Sequence, residues 1–145
     1  MTRQNAREMM MQILYQLDVN NEFDVDKQEK YLENLDMGKQ EEYCRNILSL
    51  VCNKKKEIDE KISSNCRNWT VNRMPKTDLA VLRLAVCEIL FLDDMPNSVS
   101  INEAVELAKK YGEETSFSYI NGILGAISRM TKINEVFTWN RYKQL

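Results

Sequence analysis

The sequence predicts an all-α, single-domain bundle of seven helices, and three observations carry that prediction. A 43% apolar share over 145 residues is enough to build one hydrophobic core without disulfides. Four Gly and two Pro are too few for the many tight turns of a sandwich or barrel. Apolar residues recur at spacings of three and four, the period of a helix with one buried face.

The first helix is predicted over residues 3–19, where Ala6, Met10, Ile13, Leu14 and Leu17 share a face. A second, over residues 25–35, is short and charged, with Tyr31, Leu32 and Leu35 as its apolar anchors. The third, over residues 39–52, turns Tyr43, Ile47, Leu50 and Val51 inward. The fourth, over residues 55–67, buries Ile58 and Ile62, and the run Lys54-Lys55-Lys56 marks the join between them. Pro75 and Thr77 open a fifth helix that runs to Phe91 and is apolar nearly all round, the pattern of a helix at the centre of a bundle. Asp93-Asp94-Met95-Pro96 ends it. Ser100-Ile101-Asn102-Glu103 then reads as a capping box opening a sixth helix over residues 101–111, with Gly112 placed for a left-handed C-terminal cap. The seventh, over residues 116–130, buries Ile120, Ile123, Leu124 and Ile127, and Gly122 and Gly125 allow close helix approach. Residues 1–130 form the domain. The tail, 131–145, carries Ile133, Val136, Phe137 and Trp139 and is expected to dock as an extra turn or helix.

Composition narrows the function. No stretch has the build of a secretory signal and no apolar run approaches the roughly 18 residues that would span a membrane, so the expected compartment is the cytoplasm. Cys44, Cys52, Cys66 and Cys87 are irregularly spaced and the chain has no histidine, so the cysteines read as reduced thiols and no metal site or cofactor is expected. Without histidine, a nucleophile in a recognisable setting or a phosphate-cradling glycine loop, catalysis is not expected either. The net charge of −2 is unevenly spread: residues 21–42 carry eight acids against three lysines, and residues 43–83 carry nine bases against four acids. Such a distribution permits a local basic surface.

The start of the first helix stands apart. Arg3, Arg7 and the chain's amino group lie at its positive end, where the helix dipole disfavours cations. An anion there would reverse the sign, because free amides, dipole and guanidinium groups would converge on it. Gln12 and Tyr15, outside the apolar stripe, offer a hydrogen bond and a stacking surface of the kind single-stranded RNA uses. Read from this segment alone, the alternative of ordinary surface cations and a boundary aromatic stays open.

Between Trp69 and Leu124 stand three long motifs: Asp78-Leu79-Ala80-Val81-Leu82-Arg83-Leu84-Ala85-Val86-Cys87-Glu88, residues 96–112 (Pro96 through Ile101-Asn102-Glu103-Ala104-Val105-Glu106-Leu107-Ala108 to Gly112) and Ser116-Phe117-Ser118-Tyr119-Ile120-Asn121-Gly122-Ile123-Leu124. In these motifs the stretch resembles the NusB family of transcription antitermination factors. Ala6-Arg7-Glu8 and Gln12-Ile13-Leu14-Tyr15 extend it to the N-terminus. The resemblance implies a seven-helix bundle that binds boxA RNA with the ribosomal protein NusE and helps load an antitermination complex onto RNA polymerase, chiefly for ribosomal RNA operons. It places Arg3 and Arg7 on phosphates, Tyr15 and Tyr119 against bases, Thr115, Ser116 and Ser118 as polar RNA contacts, and Asp78 towards the protein partner, beside the RNA contact already read at Gln12. Gln4 and Asn5 stand where relatives carry further arginines, and Thr115 where they can carry an acid. Homodimerisation is left open. Two other readings compete: a helical adaptor that touches no RNA, and the accessory domain of a ribosomal-RNA methyltransferase, against which the chain length argues.

Overall fold

In a computed structural model that describes residues 1–66 and 71–131, the described chain contains six α-helices and no strand. The first, α1 (Arg3–Val19), is opened by Thr2, whose hydroxyl accepts from the Asn5 amide at 3.1 Å. Its expected inner residues Ala6, Met10, Ile13, Leu14 and Leu17 are all buried. A 3-10 turn (Val25–Lys27) leads into α2 (Gln28–Leu32), which stops short of the predicted end. Leu32 is buried and Tyr31 packs half-buried against the core, but Asn34 enters the left-handed region at φ 66° and Leu35 is exposed, so the helix gains nothing from a further turn.

A second 3-10 turn (Gly38–Gln40) opens α3 (Glu41–Ser64), a single helix where the sequence predicts two. The predicted boundary survives as a kink at Lys54, whose φ of −115° and ψ of 17° leave helical geometry. The helix resumes because Ile47, Val51, Ile58 and Ile62 form one fully buried stripe across the break. This merger reduces the expected seven helices to six. The predicted end of the fourth helix at Arg67, and Trp69, lie outside the described residues, as does the tail expected to dock.

The centre is α4 (Lys76–Phe91), buried continuously from Asp78 to Ile89 and packed against α1, α3, α5 (Asn97–Tyr111) and α6 (Ser116–Met130). The capping box expected at Ser100 is not formed. Pro96, already at helical φ, starts α5 one turn earlier, and Ser100 turns inward to donate to Glu88 at 2.7 Å. Gly112 is extended, not left-handed (φ −88°, ψ −178°). Its lack of a side chain serves a close approach instead, since a Cβ there would meet the Ala108 carbonyl oxygen at 2.7 Å and Ser116 Cβ at 2.8 Å. Among the described residues, nothing lies within 4 Å of a Cβ at Gly122 and only the Arg129 side chain meets one at Gly125, so no described helix makes the close approach expected there. All four cysteines are free thiols. Among the described residues no helix is long and apolar enough to cross a membrane.

Candidate nucleic-acid interface

The two N-terminal arginines separate. Arg7 is 5% exposed and points into the core, where its Nε lies 2.8 Å and its Nη2 3.2 Å from the two oxygens of the Glu88 carboxylate. Tyr43 and Ser100 donate to the same carboxylate, so Glu88 of α4 gathers donors from α1, α3 and α5. Burial, followed by the neighbouring Glu88 charge, holds the Tyr43 phenol far above its ordinary pKa. The expected phosphate contact at Arg7 is thus corrected to an internal ion pair. The reason is register: Arg3, Arg7, Met10, Leu14 and Leu17 continue one stripe at alternating spacings of four and three.

Arg3, half-buried, lies at the outer end of that stripe. Its Nε donates to Gln40 Oε1 at 2.6 Å and its guanidinium carbon sits 4.2 Å from the centroid of the Tyr43 ring. Among the described residues no carboxylate pairs with it. Arg83, by contrast, places all three guanidinium nitrogens on Asp59 and Asp18.

Gln12 and Tyr15 lie on the outer face of α1 and, with Met11, Gln16, Thr77 and Tyr111, line an open groove of about 330 Å³. Gln12 donates to the Tyr111 hydroxyl at 3.1 Å, while Tyr15 remains 39% exposed. Tyr111 donates in turn to Glu8, which also receives Lys110 at 2.7 Å, and these hydrogen bonds hold the Glu8 carboxyl below its ordinary range.

At the start of α6, Thr115 and Ser118 are exposed, as the sequence reading requires, and Phe117 between them is 40% exposed. Ser116 is not: it is buried, accepts from the Glu113 amide at 2.9 Å and donates to Asp78 Oδ2 at 3.0 Å. The Tyr119 hydroxyl donates to the same oxygen, which leaves its half-buried ring at the edge of the bundle. Asp78, expected to face a partner, is 1% exposed and turns inward because these two hydroxyls await it there. Burial raises its carboxyl pKa above the ordinary 3.8, partly opposed by the Ser116 hydrogen bond and reinforced by the Glu113 charge. Asp78 Oδ1 is buried and has no hydrogen-bond partner among the described residues.

Of the expected contacts, then, Gln12 and Tyr15 share one groove, Thr115, Ser118 and Tyr119 share one turn, and Arg3 stands alone at the end of α1. Sequence reasoning missed Gln40, Tyr43 and Glu88 as their neighbours. Only Glu88 had a visible signal, as one of the few charges, with Asp78 and Arg83, inside a largely apolar helix. Among the described residues no group of His, Cys, Asp or Glu is arranged to hold a metal ion.

Comparison with known proteins bears on the whole of this arrangement. Residues 4–129 match the sequence model of the NusB family. The transcription antitermination protein NusB of Clostridium botulinum (strain Kyoto / Type A2) is 42% identical, over 86% of this chain and 98% of that one. Its counterpart from Listeria monocytogenes serotype 4a is 41% identical, over 88% and 97%. Among solved structures, T. maritima NusB superposes with a TM-score of 0.80 at 34% identity, covering 89% of this chain and 92% of that one. A chain from the crystal structure of antitermination factors NusB and NusE in complex with dsRNA gives a TM-score of 0.76 at 26% identity, covering 88% and 96%. A match that takes in the helix carrying Arg3's neighbours, the buried Asp78 and Glu88 and the turn before Tyr119 spans the fold and the candidate site together: the chain belongs to the NusB family.

Proposed function

We propose that this chain is a transcription antitermination factor that binds boxA RNA together with NusE and helps assemble an antitermination complex on RNA polymerase, chiefly for ribosomal RNA operons. It acts in the cytoplasm, by binding and not by catalysis. The observation that carries the reading is the membership just described, together with a solved relative in which NusB and NusE are in complex with RNA.

The surface supports it in chemical terms. The groove beside Gln12 and Tyr15 offers an amide and an exposed ring to an unstacked base. The turn at Thr115 and Ser118 offers hydroxyls, Tyr119 a ring edge, and Arg3 a guanidinium that no described carboxylate pairs with, for a phosphate. Arg7, Ser116 and Asp78 serve this face from beneath it. The test is a titration of labelled boxA RNA and a scrambled control, with the protein alone and with purified NusE, at two salt concentrations. Tighter, sequence-selective binding with NusE is the expected result. Failure to bind NusE, with equal and feeble binding of both RNAs, overturns the reading in favour of a helical protein adaptor.

A further inference from the structure

We infer that Gln40 and Tyr43 are positioning residues for Arg3, forming a seat that aims its guanidinium at an RNA phosphate; the inference rests on the RNA-binding reading above. Arginine at this place is otherwise hard to account for. It lies in the first turn of α1, where the helix dipole opposes a cation, and no described carboxylate compensates it. Yet it is held from two directions by residues 37 and more positions away in the sequence. Gln40 takes the Nε hydrogen at 2.6 Å, and the Tyr43 ring lies beneath the guanidinium plane at 4.2 Å.

What these contacts leave free gives the seat its direction. Among the described residues, Nη1 and Nη2 of Arg3 donate no hydrogen bond, so the paired outer edge that takes an oxyanion in two parallel bonds remains available. Arg7, one turn on, has its Nε and Nη2 taken by Glu88, and Arg83 has all three nitrogens taken by two aspartates. The seat is itself fixed. Tyr43 is anchored through its hydroxyl to Glu88 at 2.5 Å, and Gln40 ends a 3-10 turn whose Gly38 adopts a φ of +53°, a conformation suited to glycine. An arginine already held in its binding rotamer loses less freedom when phosphate arrives. Such a device suits a chain in which Gln4 and Asn5 supply no further charge.

The test is a double-mutant cycle on boxA RNA affinity, measured with wild-type protein, Gln40→Ala, Tyr43→Leu and Tyr43→Phe, each with Arg3 and with Arg3→Ala, in the presence of purified NusE. Gln40→Ala, at a partly exposed site, is expected to weaken binding about three- to tenfold when Arg3 is present and to have no effect in the Arg3→Ala background. Tyr43→Leu is expected to do the same, whereas Tyr43→Phe keeps the ring and so retains affinity despite losing its bond to Glu88. Equal losses in both backgrounds, or none, overturn the seat while leaving the RNA-binding reading intact. No loss from Arg3→Ala itself also overturns it, because there is then no phosphate contact to aim. Wild-type protein that fails to bind the RNA with NusE overturns the underlying reading instead.

Discussion

Arg7→Ala removes the cation that balances a carboxylate of α4 buried among α1, α3 and α5. Glu88 would keep the hydroxyls of Tyr43 and Ser100 but hold its charge uncompensated, and breaking a buried pair in this way costs about 3–5 kcal/mol. Urea denaturation should therefore show a large fall in stability, and an unchanged midpoint would return Arg7 to the surface. Asp78 behaves differently, because its raised pKa means that the folded state holds the proton more tightly than the unfolded chain does. Its contribution is fully present below the ordinary 3.8 and is lost as pH rises through the raised value. Comparing wild type with Asp78→Asn by denaturation from acid to neutral pH, the balance is expected to move in favour of the asparagine variant as pH rises. A pH-independent gap would mean that the carboxyl titrates alike in both states. Both residues were visible in the sequence as charges, but not their direction. For Arg7 the four-three spacing with Met10, Leu14 and Leu17 held the answer; for Asp78 the partners lie on an element 38 or more residues away, beyond any local pattern.

At the scale of the element, the helices were legible because their apolar stripes are long, and their ends were legible only where local chemistry acts alone. The first and last helices begin and end where periodicity puts them. The capping box at Ser100 fails because a buried carboxylate competes for the serine, and the break at Lys54 is reduced to a kink because one stripe continues through it. That break makes a prediction. Glycine at an exposed mid-helix position such as Glu57 should cost about 1 kcal/mol, but at Lys54, where the backbone has already left helical geometry, markedly less. Thermal melts of Glu57→Gly and Lys54→Gly check this; equal losses would mean that the kink is not maintained in solution. The turn between α5 and α6 is the opposite case, closed by contact. In Gly112→Ala the new methyl meets a backbone carbonyl and the Ser116 side chain, and overpacking of this kind costs about 1–3 kcal/mol. Because Ser116 also ties the turn to Asp78, the same variant should weaken RNA binding beyond what its stability loss explains, and a change in stability alone would detach the turn from the RNA face.

Over the whole molecule, the block of excess positive charge in residues 43–83 is partly offset by ion pairs among the described residues. Arg45 pairs with Glu29, Lys55 with Asp59, Lys76 with Asp18, and Arg83 with both Asp18 and Asp59, so acids from α1, α2 and α3 itself meet four of its nine bases. A linear tally of charge could not reveal this, because the pairing is set by how α1, α3 and α4 stack. The consequence concerns RNA. With a net charge of −2 and Arg3 the one candidate phosphate contact among the expected arginines that keeps its outer edge free, the protein alone has little electrostatic reach, and its affinity should depend only weakly on salt. Each phosphate contact to single-stranded nucleic acid adds about 0.7 to the slope of log affinity against log salt. Arg3→Ala should therefore flatten that slope by about 0.7, and NusE should steepen it if the partner supplies the missing cations. Both slopes come from boxA RNA titrations across a salt series. A steep slope for the protein alone, unaltered by Arg3→Ala, would locate the phosphate contacts on another face of the bundle.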